Sequence, residues 1–320
     1  MERLLNGFYT ASPVIQMGVI IFALLTIASV VIRLMAQLKP NQDFKELFQR
    51  IRSWWIMASF FWLSMAIHPQ ASILLFAFMS FLALKEYFTL IHTRIEDHRV
   101  LFWAFLAVPI QYWWVHIHWK AVFLIFMPVY MFLFIPARLL ITGKTQGIVE
   151  SMAKIHWGLM AFVFCLSHLA FLMTMPAIPA IPGGGKALVL YLVFLTEIND
   201  VAQYIWGKLF GRRPIAPTIS PKKTCAGFYG GVITTTLVAL LLRFLTGFSL
   251  EMAFFSGLII SLSGFLGDLV ISAIKRDVGV KDSSQLIPGH GGILDRIDSL
   301  TYTAPLFFHF VSYLFYPAPH

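Results

Sequence analysis

The chain of 320 residues predicts an all-α integral membrane protein, a polytopic bundle of about ten transmembrane helices with a cytoplasm-facing polar cavity in its C-terminal half. Three observations predict it. Hydrophobic residues make up 58% of the chain, aromatics 16% and charged residues only 12%, and the mean hydropathy is +0.77; a soluble domain does not keep that composition in water. Apolar runs near the length of about 20 residues that crosses a hydrocarbon core recur along the chain. The ionisable residues inside or beside those runs, Glu197, Asp200 and Asp268 among them, fall late in the sequence, and at membrane depth such groups usually face a cavity or a partner.

The candidate spans, in order, lie near 14–38, 54–68, 71–92, 100–118, 121–141, 157–175, 187–207, 229–247, 251–273 and 300–316. Met1 to Pro13 lacks the basic stretch, short apolar core and small-residue cleavage site of a secretory signal, so the first run is expected to stay as a span. The second run is short, and the seventh carries Glu197, Asn199 and Asp200. Basic residues orient the bundle, because cytoplasmic loops carry the excess of Lys and Arg. One alternating set of loops holds most of them, from Lys39 to Arg296, and the other holds only Arg3, Lys120 and Lys186. Both termini are therefore expected outside and residues 272–299 in the cytoplasm. The net charge of +9 follows mainly from this topology, with attraction to anionic headgroups as a secondary effect. Nucleic acid is not an expected partner of so apolar a chain, and a homo-oligomer stays open.

Residues 1–185 form N-terminal transmembrane helices and residues 186–320 a more polar C-terminal region, expected as one continuous bundle. Several motifs in it have ordinary explanations. Gly143-Lys144-Thr145 resembles the end of a phosphate-binding loop, but Arg138 stands where the first glycine is required. His116 and His118 sit among Tyr112, Trp113, Trp114 and Trp119, which reads as an aromatic belt at a span end. The glycine-rich 176–186 reads as an outside connector, and His168 and Arg243 as satisfied bundle residues. Cys165 and Cys225 offer neither a disulfide framework nor metal-ligand spacing.

The stretch 272–299 does not reduce in this way. Asp268, Ser272 and Lys275 recur at i, i+4 and i+7, so they share one face of a helix leaving the membrane. The chain then turns through Pro288-Gly289-His290-Gly291-Gly292, where glycines permit close backbone approach to a ligand. Asp295 and Asp298 follow at i, i+3; on a helix they would point the same way and share a hard cation through oxygen ligands. Lys275, Arg276, Lys281 and Arg296 supply countercharge for phosphates. Carboxylates, cations and glycines at a bilayer surface suggest phosphoryl chemistry on a lipid headgroup.

The pattern S-x-x-K-R-x-x-x-x-K-D followed by P-G-H-G-G-x-x-D-R-x-D, unbroken from Ser272 through Asp298, resembles the signature of phosphatidate cytidylyltransferases, the CDP-diacylglycerol synthases. A second block agrees: Asp200, Tyr204, Gly207, Lys208 and Gly211, then Ser220-Pro221-Lys222-Lys223-Thr224 and Gly227. Where that family commonly has an acid before the last glycine, this chain has Ala226. The resemblance implies transfer of a cytidylyl group from CTP to phosphatidate, giving CDP-diacylglycerol and pyrophosphate in phospholipid biosynthesis. It implies Mg²⁺, alone or beside a second cation, on Asp268, Asp295 and Asp298, with Lys275 and Arg276 as further catalytic groups. It implies that Ser220, Lys222, Lys223, Thr224, Lys281, His290 and Arg296 bind CTP and the lipid phosphate. The expected location is a bacterial inner membrane with the site facing the cytoplasm, the alternative an internal eukaryotic membrane. Two other functions stand beside it: another CTP-dependent lipid-phosphate enzyme, and a transporter or flippase, which would be expected to show broken helices or paired halves.

Overall fold

A computed structural model describes residues 11–40, 43–141, 143–284, 286–287 and 291–316. Helices dominate it. They are α1 (Pro13–Leu38), α2 (Lys45–Ile67), α3 (Pro69–Leu90), α4 (His98–His116), α5 (Lys120–Ile125), α6 (Phe132–Leu140), α7 (Ile148–Leu159) and α8 (Cys165–Met173), followed by α9 (Gly184–Phe210), α10 (Cys225–Leu241), α11 (Arg243–Thr246), α12 (Leu250–Asp277), α13 (Leu294–Ile297) and α14 (Leu300–Phe315). A π-helical turn, Phe126–Met131, joins α5 to α6, and another, Met160–Phe164, joins α7 to α8. Pro128 accounts for the first, since a residue without an N–H interrupts the regular ladder.

Each predicted apolar run is helical over most of its length. Among the described residues, six helices are long and apolar enough to cross a membrane: Pro13–Leu38, Pro69–Leu90, Lys120–Leu140, Ile148–Met173, Gly184–Phe210 and Leu250–Asp277. The others are shorter, as Cys225–Leu241 is, or more polar, as α2 is with Lys45, Glu46, Arg50 and Arg52 in its opening turns. The protein is thus an all-helical membrane protein with one small addition, an antiparallel hairpin of β1 (Pro214–Ala216) and β2 (Ser220–Thr224).

Helix starts follow local chemistry. Pro69 opens α3 behind His68, whose ring nitrogen accepts from Gln70 N at 3.2 Å. Ser249 Oγ accepts from Met252 N at the start of α12, and Thr224 Oγ1 accepts from Gly227 N at the start of α10; each satisfies one of the orphan N–H groups of a first turn.

Helix α9 is the central strut. It packs against α8, α10, α12, α14 and β2, and Ala187 to Leu192 along it are buried. Lipid offers no hydrophobic drive between helices, so packing and interhelical hydrogen bonds set their positions. Along α9 those bonds form a ladder. Tyr191 OH meets Ser256 Oγ at 2.8 Å, Thr196 Oγ1 donates to Thr303 Oγ1 at 3.4 Å, and Asn199 Nδ2 donates to Ser261 O at 3.2 Å while its Oδ1 accepts from Thr235. The ladder descends toward Asp200 and the charged end of α12.

The motifs set aside in the sequence have structural employment. Lys144 pairs with Glu96 at 2.5 Å, and buried His168 is bonded through Nδ1 to Phe164 O and ringed by Phe123, Phe164 and Phe308.

The distribution of Lys and Arg generates a test of sidedness. A single cysteine at Ser284 is expected to react with a membrane-impermeant maleimide only from the cytoplasmic side. One at exposed Ala180, in the 176–186 connector, is expected to react only from outside; labelling of both from one side would reject the orientation.

Candidate active site

The last two turns of α12 begin the site. Ser272 Oγ donates to Asp268 Oδ1 at 3.0 Å, the i, i+4 contact expected from their spacing. Asp268 Oδ2 lies 2.5 Å from Lys223 Nζ on β2. The ammonium also sits over the Phe265 ring, 4.8 Å from its centroid. Arg276, one turn further, donates from Nε to Ile219 O at 3.2 Å and from Nη1 to Val280 O at 2.9 Å. The β-hairpin is thereby fastened to α12, and the two sequence blocks become one site.

Lys275 reaches the following loop. Its Nζ donates to Asp295 Oδ1 at 2.6 Å, both side chains being about one-tenth exposed. Asp295 Oδ2 accepts from Ser283 N at 2.9 Å, Ser283 Oγ at 3.0 Å and Gly292 N at 3.0 Å. Burial alone would raise the Asp295 pKa, but the Lys275 ammonium and the loop N–H groups outweigh it and hold the carboxyl below the usual carboxylate range. A third carboxylate closes the loop from the other half of the chain: Glu86 Oε2 on α3 accepts from Leu294 N at 2.7 Å. Gly292 makes this approach feasible, because a Cβ there would lie 2.1 Å from both Glu86 Oε1 and Ser283 Oγ.

Beyond α13 the carboxylates concentrate. Asp298 is buried, and its Oδ1 accepts from Ser299 N at 2.8 Å. Ser299 Oγ in turn donates to Asp200 Oδ2 at 3.0 Å. Burial, then the negative charges of Asp268 and Asp200, push the Asp298 carboxyl well above its ordinary pKa. Glu197 feels Arg296 and Asp298, and Asp200 feels Asp268, Glu197 and Lys223. The close approach of α12 to this segment depends on Gly267, where a Cβ would stand 2.6 Å from Asp298 O. Four carboxylates, those of Glu197, Asp200, Asp268 and Asp298, thus crowd together near the countercharge of Lys223, Lys275 and Arg296. An oxygen-only donor set with excess negative charge fits a hard divalent cation, although among the described residues no three acidic, His or Cys side chains stand at metal-binding distances.

The structure therefore brings together Asp268, Lys223, Lys275, Arg276, Asp295, Arg296 and Asp298. Asp295 and Asp298 have separate partners, the first facing Lys275 and the loop, the second facing Asp200 and Asp268. Lys222 and Lys281 are exposed beside them, Ser220 is half-buried in the hairpin, and the Thr224 hydroxyl caps α10. His290 lies outside the described residues. Glu86, Ser283 and Ser299 were not marked by any motif; Glu197 and Asp200 were signalled only as charges in an apolar run. Ala226 lines an apolar groove of about 300 Å³ with Trp206, Phe210, Gly230 and Ile233, where an acid would place charge against aromatic and aliphatic surface.

Residues 48–314 match the model of the cytidylyltransferase family. YnbB of Escherichia coli (strain K12), an uncharacterized protein, is 43% identical over 297 residues, which are 92% of this chain and 97% of that protein. A phosphatidate cytidylyltransferase of Staphylococcus haemolyticus is 38% identical over 158 residues, and one of Staphylococcus aureus (strain COL) is 37% identical over the same length. In both cases the match covers 48% of this chain and 61% of the relative.

The Lys275–Asp295 pair predicts an acid-sensitive joint. Replacing Lys275 by Met leaves a buried carboxylate without its cation, a loss of about 3–5 kcal/mol. A carboxyl whose folded pKa is lowered stabilises the fold above its unfolded value, about 3.9, and that contribution disappears as pH falls through the folded value. Without Lys275 the folded value rises and this acid-linked loss shrinks, so Lys275→Met is expected to melt lower than the native protein at neutral pH and to approach it as pH falls below about 4. Thermal melts in detergent across pH check both.

Proposed function

This chain belongs to the cytidylyltransferase family, and on that premise we propose that it transfers the cytidylyl group of CTP to phosphatidate, forming CDP-diacylglycerol and pyrophosphate. One observation carries the reading. The Ser220–Thr224 strand and the Lys275–Asp298 segment, remote in sequence, meet through the Lys223–Asp268 and Arg276–Ile219 contacts at the end of a membrane helix. Cations for phosphates and an oxygen-only acidic cluster thus stand together at the boundary of an apolar bundle. The staphylococcal relatives named as phosphatidate cytidylyltransferases support the choice of substrates.

In this reaction a phosphate monoester oxygen of phosphatidate attacks the α-phosphorus of CTP. A new P–O bond forms as the bond from the α-phosphorus to the bridging oxygen breaks, and pyrophosphate leaves with the electron pair. No protein nucleophile is needed, and acceleration comes from positioning and charge neutralisation. Lys222 and Lys281 project where they can meet nucleotide phosphates. Arg276 and Arg296 add fixed positive charge on either side of the acidic cluster. Asp268 and Asp298, with Asp200 beside them and Asp295 as the further ligand implied by the resemblance, would hold Mg²⁺, alone or with a second cation. Bound there, the metal would offset phosphate charge and polarise the α-phosphoryl group.

The bacterial relatives support a bacterial membrane, and the Lys/Arg asymmetry supports placing the charged end in the cytoplasm, as an inner-membrane enzyme requires for access to CTP. A second reading keeps the chemistry and changes the acceptor to another lipid phosphate monoester. The apolar groove at Ala226 favours it, since this is where the chain departs from the family pattern.

Purified protein with labelled CTP and phosphatidate in mixed micelles is expected to yield lipid-linked cytidine and pyrophosphate, with ATP a poor substitute. Product only with a different lipid phosphate, such as a polyprenyl phosphate, would establish the second reading, and no pyrophosphate with either would leave the transporter class. Asp268→Asn and Asp298→Asn are each expected to lose about 100-fold or more in turnover, the scale of removing a positioned electrostatic group. Exposed Asp282→Asn is expected to stay near the native rate; near-normal turnover of well-folded Asp298→Asn across Mg²⁺ concentrations would remove it from the metal site.

A further inference from the structure

We propose that Glu86, a residue of the N-terminal half, is a positioning residue that holds the Asp295–Asp298 turn through its main chain. The inference rests on the cytidylyl-transfer reading of the site. Glu86 lies near the end of α3, is 8% exposed, and accepts a hydrogen bond from Leu294 N, 208 residues away in sequence. Leu294 is the first residue of α13, so its N–H has no partner within that short turn. The carboxylate supplies one. On the other side of the same loop, Gly292 N and Ser283 hold Asp295, and the absent side chain of Gly292 is what lets Glu86 Oε1 pack against the backbone.

The energetics argue against a purely structural role. A buried carboxylate is expensive unless paired, and among the described residues Glu86 forms no ion pair. Its bond to Leu294 N is a charge-assisted one. An aliphatic side chain of similar volume would fill the same space beside Gly292 without that expense. What such a side chain would lose is the fixed acceptor that sets the height and rotation of α13, and with it the directions in which Asp295 and Asp298 leave the backbone. Positioned groups in phosphoryl transfer are sensitive to displacements of this kind.

Two variants separate position from stability. Glu86→Leu keeps volume and removes the acceptor; Glu86→Gln keeps a carbonyl oxygen that can accept from Leu294 N. Glu86→Leu is expected to melt within a few degrees of the native temperature, since the charge no longer buried offsets the Leu294 N–H left without a partner, and to lose about 10- to 100-fold in kcat, with KM for CTP within about twofold of native, the pattern of a displaced reacting centre rather than lost binding. Glu86→Gln is expected to keep at least about a third of native kcat, because the acceptor survives. Amide hydrogen exchange over residues 291–298 is expected to speed up in Glu86→Leu and to stay near native in Glu86→Gln. Native kcat or native exchange in a well-folded Glu86→Leu would overturn the proposal, as would equal loss of activity in both variants. If the native protein releases no pyrophosphate with CTP and a lipid phosphate, the functional reading fails, while the exchange measurement still decides whether Glu86 holds the turn.

Discussion

The ion pair between Lys275 and Asp295 is the joint on which the rest of the site depends. It ties the last turn of a membrane helix to the single turn of α13. Four donors converge on one carboxylate: an ammonium, two main-chain N–H groups and a hydroxyl. Such a carboxylate organises a loop in the way a short strand would, by consuming backbone donors that would otherwise be unsatisfied. With α13 held at Asp295, α14 can then follow in a fixed direction, which carries Asp298 into the cluster around Asp200 and Asp268.

The two halves of the chain contribute unequally but not separately. The C-terminal helices supply the charged groups, and α9 aligns them by hydrogen bonds to α10, α12 and α14. The N-terminal helices provide mostly apolar packing, and from among them Glu86 reaches the segment that bears Asp295. The acidic cluster holds more negative charge than the neighbouring cations offset, so small changes in helix spacing have large electrostatic effects in a medium of low dielectric. The ladder of Tyr191, Thr196 and Asn199 restricts that spacing.

Much of this was legible in the sequence, for identifiable reasons. Long apolar runs show themselves by composition, and the Asp268, Ser272, Lys275 face shows itself by helical period. The Lys222-Lys223 strand was recognisable from a family pattern. Its contact with Asp268 was not, because no periodicity relates residues on separate elements. Glu86 stands beside Lys85 in an otherwise apolar run, Phe81 to Phe88, and its partner is a backbone N–H that any residue would offer. The separation of Asp295 from Asp298 was also hidden: the backbone stays helical through Asp298, but the two carboxylates have different partners, Lys275 and Ser283 for the first and Ser299 N for the second, and spacing along one element does not reveal partners on others. Among the described residues six helices meet both length and apolarity, while other apolar runs fold into shorter helices such as α10 and α14, of 17 and 16 residues, whose composition alone does not reveal their length.

Gly267 bears on any attempt to move this chemistry to another scaffold. The bare backbone at that position fixes how near α12 comes to the segment bearing Asp298, and hence how strongly their carboxylates interact. Grafting the charged side chains alone would reproduce an inventory without its metric. A designer would have to copy an interhelical distance, encoded by a residue with no functional group, before the copied charges recovered their mutual influence.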